Sequence, residues 1–328
     1  ADDEETGELA SDRHLYFRGA TLGEGDEALP LRGTARMGSE STRIYVEGGL
    51  SAEELEQRFG GEVVSVWQYG IGVGQMPSEI RAAVCHEFGS PLSVETVILR
   101  DPGPGEVEVT LEAVAICHSD ISYIEGGWGG PLPSVYGHEA AGRVTSVGAG
   151  VTSVAEGQRV IVTLIRSCGT CPSCVTARPV HCMGNQPLPP ELSFPDGREV
   201  NKGLKCGAFA EKVVVHASQV AFVGDDVPAE SACLLACGVP TGLGAAVNTA
   251  RVRPGETVEV IGLGGVGLNA VQGARLAGAA RIIAMDLEPS KLEDAKVFGA
   301  TDGVLVSEET PWRTVKALTG GRGADHVF

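Results

Sequence analysis

The amino-acid sequence predicts an α/β protein, a β-rich half followed by a parallel sheet, on three observations. From the turn Asp101-Pro102-Gly103-Pro104-Gly105-Glu106 to about residue 230, short apolar runs alternate with Gly and Pro turns, a pattern of short strands. From Glu230 onward, Ala-rich stretches alternate with short apolar runs, as in βαβ units. The third is a glycine-rich turn, Gly262-Leu263-Gly264-Gly265-Val266-Gly267, placed between one such run and one such stretch. With 328 residues, 43% of them hydrophobic and 21% charged, the chain can bury full cores. Its 46 glycines follow no three-residue period, which excludes a collagen.

Charge and leader signals narrow the class further. The net charge of −18 opposes a binder that draws affinity from phosphate contacts, so no nucleic-acid partner is expected. No apolar run approaches the roughly 18 residues of a membrane span, and no membrane partner is expected. The opening Ala1-Asp2-Asp3-Glu4-Glu5 has neither a cationic nor an apolar leader character. A cytoplasmic protein with reduced thiols is the expectation, and it favours metal or catalytic readings of clustered cysteines.

Taken in order, residues 1–75 come first as an acidic extension of unknown role. They hold fifteen Asp and Glu against six Arg, a net of −9 in less than a quarter of the chain. The first forty positions show no sustained period and read as loop or disorder. Arg43–Val46 and Val63–Val73 read as strands around a short helix, Ala52–Phe59, capped by Ser51. That order is similar to the first half of an RNA recognition motif, but the later aromatic strand is missing and the segment is acidic. Met76 is then a candidate native start. Residues 76–235 form the β-rich domain, with Ala82–Val84 and Leu92–Leu99 as early strands, and residues 236–328 form the parallel-sheet domain.

Cys168, Cys171, Cys174 and Cys182 are spaced C-x2-C-x2-C-x7-C. Four thiolates this close can surround one tetrahedral zinc with no open position, which makes it structural. Paired disulfides are the alternative, opposed by the very short loops. Three further fragments hold metal-binding residue types: Cys117-His118-Ser119-Asp120, Gly137-His138-Glu139, and Ala236-Cys237-Gly238. Composition does not show that they converge.

The glycine motif follows the strand Val258–Ile261, opens the helix Leu268–Leu276, and precedes a second strand, Ile282–Asp286. In that context Gly262, Gly264, Gly265 and Gly267 permit a tight turn, close approach of a pyrophosphate, and tight helix–strand packing. Asp286 ends the second strand where a carboxylate can bind ribose hydroxyls and repel a 2′-phosphate, so NAD is favoured over NADP. A helix cap before Pro289 is its structural alternative.

Together these motifs, in this order over about residues 80–328, resemble the zinc-containing medium-chain dehydrogenase/reductase family, the zinc alcohol dehydrogenases. The resemblance implies a GroES-like catalytic domain followed by a Rossmann-type sheet, two zincs per chain, and NAD. It places the catalytic zinc on Cys117, His138 and Cys237, with a fourth position open. It makes Asp120 the carboxylate that orients His138, Glu139 the acidic neighbour of the metal, and Ser119 the hydroxyl that carries the substrate proton outward. His118, Thr241, Val266 and Lys291 fall on coenzyme-contacting positions, and Trp128 and Leu164 on pocket-lining ones. A plain structural role remains open for His118 and Glu139, and core packing for Trp128 and Leu164. Ser122 stands where some members have a proton-accepting His, so a relay from Ser119 would end on water or another base.

The function implied is oxidation of an alcohol to an aldehyde or ketone, or the reverse, by hydride transfer from a zinc-bound alkoxide to nicotinamide. A related enzyme acting on formaldehyde adducts or polyols is the alternative, and a zinc-stabilised binding protein without catalysis is another. The partner is a small-molecule alcohol or aldehyde, with a homo-oligomer expected for the full-length form. The chain stops at Phe328 inside the expected fourth strand of the Rossmann-type sheet, which predicts a C-terminal truncation and an exposed apolar edge. Asn185–Cys206 reads as a long connection, and Cys85, Cys206 and Cys233 as packing residues.

Overall fold

A computed structural model describes residues 77–184, 190–306 and 310–328, with the backbone of three strands ahead of them. The chain divides into two compact units, Ala1–Pro77 and Ser78–Phe328. In the first, β1 (Thr6–Glu8), β2 (His14–Leu22) and β3 (Leu29–Arg36) form an antiparallel sheet in that order. This corrects the expectation of loop over the first forty residues. A register shift between Arg18 and Thr21 interrupts the β2–β3 ladder, and such a bulge breaks the alternation that marks a strand in sequence. The strand–helix–strand reading of residues 43–73 lies outside the described residues.

The second unit begins with β4 (Ser78–Cys85), β5 (Ser93–Leu99), β6 (Glu106–Ala115), the helix α1 (His118–Ile124) and β7 (Ser134–Val135). There follow β8 (Glu139–Val147), β9 (Arg159–Thr163), the short helix α2 (Pro172–Val175), β10 (Leu192–Ser193), β11 (Glu199–Lys202), β12 (Lys212–His216) and β13 (Val220–Phe222). Strands β10-β11-β7-β4-β5 close a small barrel, and β12-β6-β8-β9-β13 form a second sheet. Ile80, Ala82 and Val84 alternate inward along β4, and Val160 and Val162 along β9, as the two-residue period requires. Gly142 on β8 meets β6 so closely that a Cβ there would lie 2.1 Å from the Thr110 carbonyl oxygen.

The segment expected to be a long connection instead supplies β10 and β11, which complete the barrel. Strands of two and four residues are too short to show a period. Near their ends, Arg100 donates to Glu106 at 2.7 Å and Lys202 to Glu191 at 2.7 Å. Burial raises the Glu106 pKa, but the Arg100 hydrogen bonds outweigh it and hold the carboxyl below the usual range.

After α3 (Ala229–Ala232) and α4 (Gly238–Gly244), β14 (Thr257–Ile261), α5 (Gly265–Leu276), β15 (Arg281–Asp286), α6 (Pro289–Phe298), β16 (Asp302–Leu305), α7 (Pro311–Leu318) and β17 (His326–Val327) alternate. Their sheet is wholly parallel in the order β16-β15-β14-β17, the first four strands of the Rossmann order. Successive residues of β15 serve opposite faces. Ile282 and Ala284 join a core with Val258, Val260 and Val271, while Ile283 and Met285 join Val304 and Val315. Among the described residues, no single helix is long and apolar enough to cross a membrane.

Candidate metal centres and coenzyme cradle

Among the described residues, two groups of ligand atoms converge, each with all its atoms within 4.8 Å of one another. The first is Cys168, Cys171, Cys174 and Cys182. Its Cys168–Cys174 and Cys171–Cys182 sulfurs lie 4.0 and 3.9 Å apart. Zinc–sulfur bonds of about 2.3 Å in a tetrahedron put sulfurs about 3.8 Å apart, so the cluster fits that ion. Backbone N–H groups aim at the sulfurs: Cys171 N donates to Cys168 at 3.3 Å, and Cys168 and Gly184 donate to Cys182 at 3.3 and 3.4 Å. Hydrogen bonds from Thr170 and then Cys171 draw the Cys168 thiol down to about 5, while burial and Cys171 push Cys174 up to about 11. Thiols pulled apart in this way are all held as thiolates by a divalent cation.

No described residue from 163 to 191 is fully buried. The described part of this lobe has no apolar core, so a metal bound there would supply its cohesion. Stripping the metal from the lobe is therefore expected to expose four thiols to an aromatic disulfide reagent and to lower the Tm. An unchanged thiol count after chelation would count against the assignment.

The second group is Cys117, His138, Glu139 and Cys237, which the sequence scatters over three fragments. Asp120, fully buried, joins two of them. Its Oδ2 accepts from Cys117 N at 3.0 Å, and its Oδ1 accepts from Gly137 N at 3.0 Å and from His138 Nδ1 at 2.9 Å. These bonds fix the imidazole so that Nε2 is the nitrogen left to bind a metal. Cys117 caps α1, and His138 immediately precedes β8. Cys237 sits between a short 3-10 turn, Cys233–Ala236, and α4, where φ −146° and ψ −72° break the helical run. Burial, then the charges of Glu139 and Cys117, push the Cys237 thiol up to about 12. Two half-buried thiols, a buried imidazole and a buried carboxylate crowd together, a donor set that fits zinc.

Around this group, Ser119 is half-buried, and His118 and Thr241 are exposed. Thr241 lies in the first turn of α4 and donates its N–H to the Cys237 carbonyl at 3.0 Å. Trp128 is exposed, its ring edge-on to Tyr123 with centroids 4.9 Å apart, which removes core packing as its role. Leu164 packs against the core of the second sheet. Cys85, Cys206 and Cys233 are buried and unbridged, as the packing reading expects.

The glycine turn is built as its spacing predicts, except that α5 starts at Gly265 and takes in the end of the motif. Gly262 has φ +89°, open to glycine at little cost. A Cβ on Gly267 would lie 1.9 Å from the Gly262 carbonyl oxygen, so helix and strand meet there only without a side chain. At Gly264 and Gly265 a Cβ would meet nothing within 4 Å. That open cradle faces the unpaired amides of a helix N-terminus and fits a pyrophosphate. Asp286 Oδ2 accepts from Leu263 N at 2.7 Å, its Oδ1 accepts from Glu288 N at 3.1 Å, and Lys291 Nζ lies 3.6 Å away. Burial works to raise its pKa, yet these donors and Lys291 hold the carboxyl below its ordinary value.

Sequence reasoning passed over Thr163 and Gln219, which carried no motif. Thr163 Oγ1 donates to the Ala236 carbonyl at 2.9 Å, and Gln219 Nε2 donates to the Thr163 carbonyl at 3.0 Å.

Two family models match: an alcohol dehydrogenase GroES-like domain over residues 103–225 and a zinc-binding dehydrogenase over 265–328. The S-(hydroxymethyl)glutathione dehydrogenase of Synechocystis sp. is 40% identical over 258 residues, 76% of this chain and 70% of that protein. A crystal structure of an alcohol dehydrogenase zinc-binding domain protein from Burkholderia ambifaria matches with TM-score 0.72 at 33% identity, over 76% of this chain and 70% of that one. Benzyl alcohol dehydrogenase from Acinetobacter calcoaceticus matches with TM-score 0.70 at 31% identity, over the same shares. On fold, ligand convergence and this similarity together, the chain belongs to the zinc-containing medium-chain alcohol dehydrogenase family and is a zinc-dependent oxidoreductase.

Proposed function

We propose that the chain is an NAD-linked alcohol dehydrogenase. Cys117, His138 and Cys237 hold the catalytic zinc, and Cys168, Cys171, Cys174 and Cys182 the structural one. The observation that carries the reading is the set of bonds from Asp120, which binds two ligand-bearing segments into one buried unit. In this reading the metal-bearing domain spans 76–235 and the coenzyme domain 236–328, with 1–75 appended. When bound, zinc with an open position acidifies a hydroxyl, and NAD accepts hydride at its nicotinamide ring.

The chain's own residues do the rest. Asp120 keeps the proton on His138 Nδ1, so the imidazole stays in one tautomer. Glu139 places a carboxylate beside the ligand thiols, the acidic neighbour of the metal. Ser119 Oγ takes the substrate hydroxyl proton outward, and with Ser122 in place of a histidine the proton passes to water. Gly264 and Gly265 admit the pyrophosphate, α5 offers it amides, and Asp286 with Lys291 holds the adenosine ribose. Thr241, Val266 and His118 flank the rest of the coenzyme, and Trp128 and Leu164 the alcohol.

A second substrate reading, the glutathione adduct of formaldehyde, is favoured by the 40% identity to a protein of that name. Turnover of a benzyl or short alkyl alcohol against that adduct separates the two. The coenzyme assignment is tested by titrating NAD and NADP onto Asp286→Asn. Loss of a charged hydrogen bond, about 1.5–3 kcal/mol, is expected to weaken NAD more than tenfold. The same change relieves repulsion of the 2′-phosphate and narrows the gap to NADP. Unchanged NAD affinity would overturn the ribose role.

A further inference from the structure

The three nitrogen and sulfur ligands of the proposed catalytic metal are not held alike. Asp120 ties down Cys117 and His138, and it makes no bond to the segment that carries Cys237. That third ligand follows Ala236 in a run that changes from 3-10 turn to α4 at Cys237 itself. The tie to the metal-bearing half comes from β9. Thr163 Oγ1 donates to the Ala236 carbonyl at 2.9 Å, one peptide from the ligand.

Thr163 is held in turn by Gln219, which is 2% exposed. The Gln219 amide donates to the Thr163 carbonyl at 3.0 Å and to the Lys205 carbonyl at 3.0 Å. Both of its N–H groups are thereby committed, and the bonds that link Gln219 to Thr163 and Thr163 to Ala236 run one way, from amide to carbonyl and from hydroxyl to carbonyl. Thr163 also pairs across the ladder with Glu139, next to His138. The end of β9 thus stands between the segment of the second ligand and that of the third.

We infer that Thr163 and Gln219 are positioning residues for Cys237, a two-step tether that sets where the third ligand meets the metal. This rests on Cys237 being a ligand. The tether's hydrogen bonds go to backbone carbonyls and not to the ligand atoms, and their effect passes through the peptide after Ala236. Partners of this outlying kind are worth roughly 10–100-fold in metal affinity.

The experiment is cobalt substitution of the full chain, read by the visible ligand-field bands and the near-ultraviolet thiolate charge-transfer bands. Thr163→Val keeps shape and β-propensity but removes the hydroxyl. It is expected to shift the bands of the two-sulfur, one-nitrogen site and speed cobalt release from that site about 10–100-fold. The four-sulfur spectrum of the cysteine lobe and the far-ultraviolet circular dichroism, both unchanged in the same sample, show that the protein is folded. Thr163→Ser is expected to restore the wild-type spectrum and release rate. Gln219→Glu, which turns a donor toward two carbonyls into an acceptor, is expected to act like Thr163→Val. Wild-type bands and release in Thr163→Val overturn the tether. Cys237→Ala separates the two levels. If it leaves the mixed-ligand spectrum intact, the ligand assignment itself fails. If it abolishes that spectrum while Thr163→Val does not alter it, only the tether fails.

Discussion

His138→Ala is expected to reduce bound zinc from two ions per chain to one and to abolish dehydrogenase activity, while the four-cysteine lobe keeps its metal. His138 is 1% exposed, and its Nδ1 is committed to Asp120 at 2.9 Å, so Nε2 is the single nitrogen directed at the ligand group. Without it, two thiols and Glu139 remain. The Cys237 thiol, already pushed up to about 12 by burial and by Glu139 and Cys117, then has less reason to ionise. Zinc affinity depends on deprotonated ligands, so losing one neutral donor and disfavouring a thiolate act in the same direction. Asp120→Asn is the graded companion. The amide oxygen can still accept from the imidazole but supplies no charge, and a loss of about 10–100-fold in metal affinity is expected. Elemental analysis after dialysis reads both variants. Two zincs retained by His138→Ala would show that the convergence of Cys117, His138 and Cys237 is not a metal site.

Gly267→Ala and Gly265→Ala are expected to fail for different reasons, and the contrast separates folding from coenzyme binding. At Gly267 a Cβ would lie 1.9 Å from the Gly262 carbonyl oxygen and 3.0 Å from its carbon. These are backbone atoms of the turn and cannot rotate aside, so α5 must lift from β14. Overpacking of this kind costs about 1–3 kcal/mol. A lower Tm and NAD affinity reduced more than tenfold are expected together. At Gly265 a Cβ meets nothing within 4 Å. The fold tolerates alanine there, but the methyl group occupies space at the helix N-terminus that the pyrophosphate needs. Wild-type Tm with NAD binding reduced at least tenfold is the expected result. Normal NAD binding by Gly265→Ala would overturn the placement of the pyrophosphate.

Much of the fold was legible because its signals are local. The β14–turn–α5–β15 unit announces itself through apolar runs around Gly262–Gly267, and the structure displaces only the helix start, to Gly265. The N-terminal sheet was not legible. The bulge between Arg18 and Thr21 breaks the alternation that would have marked β2, which pairs with β3 on either side of it. β10 and β11 escaped for a similar reason. Two and four residues carry no period, and what makes them strands is the barrel they close.

The metal centres divide along the same line. For Cys168, Cys171, Cys174 and Cys182, the sequence by itself gathers the four sulfurs, because short loops leave them few places to go and the chain's own amides aim at them. The glycine turn and Asp286 belong with them, since a strand, a tight turn and a helix are set by neighbours along the chain. That Cys117, His138, Glu139 and Cys237 meet beside Asp120 was implied by the resemblance of their motifs and by no spacing. The tertiary structure brings their ligand atoms together, and only it decided that Thr163 and Gln219 reach the third ligand's segment. Those residues lie on separate strands and helices, and their distances depend on sheet register and on which buried donors find which carbonyls. That is a property of packing between distant segments, and no local spacing encodes it.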